Sequence, residues 1–172
     1  IIAYFGTVQI AANAVAHNLD SLGIIPGSAI NLAMITVVGR CIGARDYDQV
    51  KYYTKKLLKG SYAVTILMNS AVILTLPLTL KLYNLSEETL KLASILVIIH
   101  AGCSIIFWPM SFTLPNALRA SNDVKFTMVV SIMSMWIFRI GFSFILGKLA
   151  GWGAIGVFIS MVMDWICRSI IF

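Results

Sequence analysis

SYAVTILMNSAVILTLPLTL, Ser61–Leu80, is a stretch of twenty residues without a formal charge, dominated by Leu, Ile, Val and Ala. About 20 helical residues, rising 1.5 Å each, cross the hydrocarbon of a bilayer. Comparable charge-free runs cover Ile1–Leu19, Ser21–Gly39 and Leu92–Leu118. Lipid offers no partner to a backbone N–H or C=O, so these runs must be helices or strands of a closed barrel, and the lack of apolar/polar alternation excludes barrel strands. Composition agrees: 12% of residues are charged, whereas a soluble domain carries about 25%. The expected fold is all-α, a polytopic transmembrane bundle of about five spans with the lipid bilayer as its surroundings. The helices are expected at roughly 7–44, 47–82, 87–118, 123–147 and 152–172. The chain opens on Ile1 and stops at Phe172 inside an apolar run, without the features of a signal peptide, and so reads as a piece of a longer protein.

The ends of these segments carry their own chemistry. Asp46 with Gln49, Ser86 before Glu87 and Glu88, and Asp123 place acceptors or negative charge where the first N–H groups of a helix need them. Gly147, Gly151 and Gly153 mark a tight turn before the last span. The basic residues sit in the connections: Arg40, Arg45, Lys51, Lys55, Lys56, Lys59, Arg119, Lys125 and Arg168 on one side against Lys81, Lys91 and Lys148 on the other. Nine against three puts the first group in the cytoplasm and leaves Arg139 as the one basic residue inside a span. The net charge of +6 is thus a matter of topology, and no nucleic-acid partner is expected. Val50, Tyr53, Leu57 and Leu58 recur at helical spacing among the lysines, which suggests a helix start lying along the cytoplasmic interface.

The first segment would be about 57 Å long as a straight helix, so it must protrude, tilt or break. Pro26, flanked by Gly23 and Gly27, is the natural break, and Pro77, Pro109 and Pro115 supply further hinge candidates. Such bent helices shape cavities in transporters, although a packed bundle also tolerates prolines. The small-residue pairs Gly23/Gly27, Gly39/Gly43 and Gly156/Ser160 would allow close helix approach.

An ionisable side chain inside a span is costly to bury and is a functional candidate. Asp20, His100, Arg139 and Asp164 qualify. Arg139 and Asp164 are 12 and 13 residues from the turn near Gly151, hence at similar depth on consecutive helices, which suggests a buried ion pair. The competing partner for Asp164 is Arg168, one helical turn along. Asp20 is the ion-coupling candidate, since a carboxylate in a partly dry cavity can exchange a proton near neutral pH; the alternative is a solvated carboxylate at the outer rim. His17, a turn away, either tunes it or sits at the interface. His100 reads as a neutral hydrogen-bonded histidine or as a proton relay. Asn13, Asn18, Asn31, Asn69 and Asn116 are expected to bond across helices. Asn31, His100, Trp108, Phe112 and Trp136 are the cavity-lining candidates, with Met128, Met133, Met135, Met161, Met163, Phe107 and Trp165 as adaptable apolar lining or lipid contact. Cys41, Cys103 and Cys167 lack CxxC spacing and a histidine cluster, so no metal site is expected. Neither a nucleophile–base pair nor a phosphate loop is legible, and the chain is not expected to be an enzyme.

The stretch Ala11–Asp46, with His17, Pro26, Gly39, Gly43 and Ala44 in order, resembles the second helix of a lobe in multidrug and toxic compound extrusion (MATE) transporters. PNALRASNDVKF, Pro115–Phe126, resembles a cytoplasmic connection of that family, and SMWIFRI (Ser134–Ile140) with DWICR (Asp164–Arg168) resembles its last two helices. The resemblance covers essentially the whole chain. It implies an inner-membrane antiporter of two six-helix lobes, of which 1–172 would be a partial C-terminal lobe, with the N-terminal lobe of the same chain as partner. It further implies export of small cationic amphipathic compounds in exchange for H+ or Na+, with no cofactor beyond that coupling ion. Some members place a coupling acid in the tenth helix; here no acid lies between Thr89 and Asn122, which shifts the implied ion site to Asp20 or to the other lobe. Two other readings are a lipid-linked saccharide flippase of the same architecture and a membrane enzyme or scaffold.

Overall fold

A computed structural model describes residues 2–83 and 85–172. After a short 3-10 turn at Ile2–Phe5, five helices are long and apolar enough to cross a membrane: α1 (Thr7–Gly43), α2 (Tyr47–Leu82), α3 (Glu87–Ala120), α4 (Val124–Leu149) and α5 (Gly153–Ile171). No strand occurs among the described residues. The all-α bundle required by the charge-free runs is the observed architecture.

The helix ends show how the connections are made. Both basic-side turns place a non-glycine residue in left-handed conformation, Arg45 (φ 58°) and Asn122 (φ 70°), each followed by an aspartate at the next helix start. Asp46 accepts from the Gln49 backbone N–H at 3.1 Å and from Gln49 Nε2 at 2.8 Å, so its carboxylate caps the helix start. Ser86 accepts from the Thr89 backbone N–H. Asp123 makes no such bond, so the cap expected there is absent and its charge alone serves the helix start. At the opposite end Gly151 (φ 74°) turns the chain between α4 and α5, and Gln9 Oε1 of α1 accepts from the Ala154 N–H at 2.6 Å. A side chain 145 positions away thus satisfies one orphan donor of α5.

The helix α1 is the axis of the bundle, packing on α2, α3 and α5. Near the end opposite the basic connections Val15, Leu19, Leu76, Leu96, Val97 and Phe158 close an apolar core. At the basic end Met34, Val38 and Ala117 form a second one, against which Val50, Leu57 and Leu58 pack. Val50, Leu57 and Leu58 thus turn inwards onto α1 and α3, and α2 is one continuous helix.

The prolines at Pro26 and Pro109 differ in their local effect. The α1 helix runs unbroken through Pro26, and Gly23 and Gly27 are contact points instead of loosened backbone. A Cβ on Gly23 would meet Asn69 Oδ1 at 2.7 Å, and one on Gly27 would meet the Trp108 ring at 2.6 Å. Pro109 opens a wide π turn, Pro109–Thr113, within α3. Neighbouring helices supply donors around it: Tyr62 Oη donates to the Ile106 carbonyl at 3.1 Å and Ser169 Oγ to that of Phe107 at 3.2 Å. In hydrocarbon each unsatisfied carbonyl would cost several kcal/mol, so these bonds make the irregular turn tolerable. The Gly39/Gly43 pair touches nothing within 4 Å, so no close approach occurs there, whereas Gly156 lies against the backbone of Leu146.

That contrast is testable. A Cβ at Gly156 would sit 2.7 Å from the Leu146 carbonyl carbon and oxygen, so Gly156→Ala is expected to cost about 1–3 kcal/mol of stability. Gly39→Ala has open space and is expected to be neutral or to gain about 0.5–1 kcal/mol. Thermal denaturation of the purified protein in detergent orders the two; equal midpoints would contradict the α4–α5 packing.

Candidate functional site

The α1 residues Asn13, His17, Asp20, Ile24, Ser28 and Asn31 recur every three or four positions and therefore share one face of the helix. That face lines a cavity of about 380 Å³, closed by His100, Trp108 and Phe112 of α3, Arg139 of α4, and Phe158, Met161 and Trp165 of α5. The volume lies within the range of small-molecule pockets, about 300–1,000 Å³. Leu22, Ile25 and Leu32 of α1 are exposed and off this face. A polar stripe on an apolar helix has its physical explanation here: those groups face a cavity and not lipid.

Asp20 is 3% exposed, which removes the reading of a solvated carboxylate at the outer rim. Its Oδ1 lies 3.0 Å from His100 Nδ1, and His100 is equally buried. The two atoms are close but lack the alignment of a full hydrogen bond. His100 rests edge-on against Trp165, ring centres 4.9 Å apart, and against Phe158 at 6.1 Å. His17 lines the cavity but is exposed, and the imidazole beside Asp20 is that of His100. Further unpartnered buried polar atoms belong to cavity residues: Asn31 Oδ1 and Trp165 Nε1.

A second polar cluster ties α4 to α5. Asp164 is fully buried; its Oδ2 accepts from Arg139 Nε at 3.3 Å, and its Oδ1 accepts from Arg168 Nε at 2.9 Å and from Ser134 Oγ. The two partners that compete for Asp164 in the sequence both reach it, one on each oxygen. Arg168 also donates to the Ser131 carbonyl at 3.1 Å and lies over the Phe112 ring. Arg139 is half-exposed, and it is the member that reaches the cavity.

Of the lining candidates, Asn31, His100, Trp108 and Phe112 reach the cavity. Trp136 does not: it is 61% exposed and stands outside the cavity. Met128, Met133 and Met135 are exposed as well, so of the methionine set Met161 is the one at the cavity. Asn69 and Asn116 donate to carbonyls four residues back in their own helices and do not bond across helices as expected. Phe158 escaped sequence reasoning, and so did Asn13 and Ser28 as lining residues; the three-to-four spacing from Asn13 to Asn31 was the available signal for α1. Ser134 carries no such signal, because only the approach of α5 gives it a partner.

Chemically, the cavity joins a carboxylate and an imidazole to aromatic faces that attract cations. Among the described residues no three His, Cys, Asp or Glu side chains converge as metal ligands. The cluster predicts an ordering of variants. Asp164→Asn leaves Arg139 and Arg168 without a counter-charge, a loss of about 3–5 kcal/mol for a buried pair. Arg139→Leu keeps the Arg168–Asp164 bond and is expected to be mild, about 1 kcal/mol or less. Monodisperse yield by size-exclusion chromatography in detergent should collapse for Asp164→Asn and stay near wild type for Arg139→Leu.

The comparisons with known proteins bear on this arrangement. The chain is 25% identical over 99% of its length to the "Uncharacterized transporter YisQ" of Bacillus subtilis, covering 37% of that protein. It is 25% identical to the "Probable multidrug resistance protein NorM" of Thermotoga maritima over 98% of the chain and 36% of the relative, and 26% identical to the protein of the same name from Bacillus licheniformis over 94% and 36%. The chain thus spans a little over a third of the length of these curated relatives. No solved structure matches it. A sequence model of the family described as MatE matches residues 1–145, which takes in α1 to α3, most of α4 and most of the cavity wall. By that match, the chain belongs to the MatE family of multi-pass membrane proteins.

Proposed function

We propose that this chain is part of a secondary antiporter that exports cationic amphipathic compounds in exchange for protons or sodium, by alternating access. The observation that carries the reading is Asp20, a carboxylate held 3% exposed between His100 and aromatic walls on the polar face of a transmembrane helix. A buried carboxylate is costly when charged and alone. Either a bound proton or a bound organic cation relieves that cost, and one carboxylate serves one of them at a time. Competition of this kind is the minimum that exchange requires: each ligand must bind a different state or exclude the other.

The names of the relatives, multidrug resistance proteins among them, support a drug-export role. Their greater length supports a second lobe of the same chain as the other wall of the transport path. The nine basic residues at one end support a cell-membrane location with Lys55 and Arg119 in the cytoplasm. Rocking of the lobe would draw on Pro26, Pro109 and Pro115, each of which deprives its helix of one backbone bond, with the π turn at Pro109–Thr113 already departing from regular α geometry.

Cells expressing the complete gene should tolerate more of a cationic dye or drug, and should lose that tolerance when a protonophore collapses the gradient. Asp20→Asn is expected to cut gradient-driven export about tenfold or more, and His17→Gln at most a few-fold, because His17 is exposed at the cavity edge. Unchanged export in Asp20→Asn would remove this carboxylate from the mechanism. Unchanged susceptibility to every cationic compound would remove the export reading itself.

A further inference from the structure

The first turns of α2 have two opposite faces. Val50, Leu57 and Leu58 pack inwards. On the other side Lys51, Lys55, Lys56 and Lys59 are all exposed, and the spacing of Lys51, Lys55 and Lys59 at successive fours puts them in one row. Among the described residues no carboxylate comes within salt-bridge distance of these lysines. The acid that opens the helix, Asp46, is committed to Gln49. Like charges one turn apart repel, so the row is unneutralised from within the chain.

Its depth says what stands opposite. The charge-free run of α2 begins at Ser61. At 1.5 Å per residue Lys59, Lys56 and Lys55 lie about 3 to 9 Å before it, the level of the headgroup layer, which is about 5–8 Å thick on each side of the hydrocarbon. Tyr52 helps to order the cluster: Lys56 Nζ stands 5.5 Å from the centre of its ring, and Tyr53 meets that ring edge-on at 5.2 Å. Tyr52, Lys55, Lys56 and Lys59 line a surface hollow of about 340 Å³. One to two turns further into the span Ile66 and Leu67 are 45% and 68% exposed, so an open apolar wall follows the hollow.

Ammonium groups at headgroup depth beside an open apolar wall match the two halves of one anionic phospholipid. A zwitterionic phospholipid brings an ammonium of its own, which the lysines repel, and a free phosphate has nothing to place on Ile66 and Leu67. We propose that this face of α2 binds anionic phospholipid, with the headgroup phosphate held by Lys55, Lys56 and Lys59 and the acyl chains lying along Ile66 and Leu67. The inference goes beyond the export reading and does not depend on it, since no cavity-lining residue takes part.

The full-length protein in a neutral detergent is titrated with phosphatidylglycerol or with phosphatidylcholine of the same chain length, and bound lipid is counted by native mass spectrometry. The wild type is expected to bind phosphatidylglycerol about tenfold more tightly. The triple variant Lys55→Gln, Lys56→Gln, Lys59→Gln should reduce that ratio to about twofold or less, whereas arginine at the same three positions should keep it. Lys81→Gln, Lys91→Gln and Lys148→Gln together remove the same charge at the other end and should leave the ratio unchanged. Equal affinity of the wild type for both lipids overturns the proposal without any variant having to fold, and a preference that survives in the first triple variant overturns it too. A phosphatidylglycerol with a photoreactive acyl chain should label the wild type within Ala63–Leu67; labelling confined to other helices contradicts the assignment. Glycerol phosphate in excess should not displace the lipid, and displacement would give the lysines to a soluble phosphate instead.

Discussion

Hydrocarbon accepts no hydrogen bonds, and every feature of this chain answers to that constraint. Backbone groups are satisfied by forming five helices. Where the helices depart from regularity, at Pro109–Thr113, hydroxyls from α2 and α5 reach the carbonyls of Ile106 and Phe107. Polar side chains bond along their own helix, as Asn69 does, bond across helices, as Ser61 does with Thr113, join the Asp164 cluster or face the cavity. Four residues with unpartnered buried polar atoms, Asp20, Asn31, His100 and Trp165, line the cavity, whereas Thr65 and Ser104 carry such atoms elsewhere.

The Asp164 cluster shows how the same constraint shapes the contact between α4 and α5. A carboxylate with no exposure cannot stand alone, and Arg168 on the same helix already neutralises it. Arg139 is electrostatically redundant for Asp164 and so is available to the cavity. Its Nε fastens it to α5 while its outer nitrogens remain open.

Much of this was legible in the residues. The charge-free runs sufficed for the all-α bundle, since lipid leaves a chain few alternatives. The depth argument from Gly151 brought Arg139 towards Asp164, because consecutive antiparallel helices have little freedom in register. What stayed hidden depends on rotation and on partners. Whether Trp136 turns to the cavity or away from it depends on the rotation of α4, and the wide turns at Met135–Phe142 change the side-chain phase that a regular 3.6-residue count assumes. Asp20 could not be placed from spacing alone, since its burial comes from α3 laying His100 against it. Pro26 looked like a break because an isolated helix would bend there, yet packing at Gly23 and Gly27 accompanies an unbroken α1.

The central claim is that one face of α1 meets water inside the membrane while the outer face of α2 meets lipid. Cysteine reactivity measures that difference directly, because thiols ionise and react with charged, membrane-impermeant thiosulfonates only where water reaches them. With Cys41, Cys103 and Cys167 replaced, single cysteines at Ser21 and Ser28 of the cavity wall should be modified in intact membranes. Cysteines at Leu67 and Leu74, which are exposed and outside the cavity, should not. Protection of Ser21 and Ser28, or modification of Leu67 and Leu74, would contradict the account.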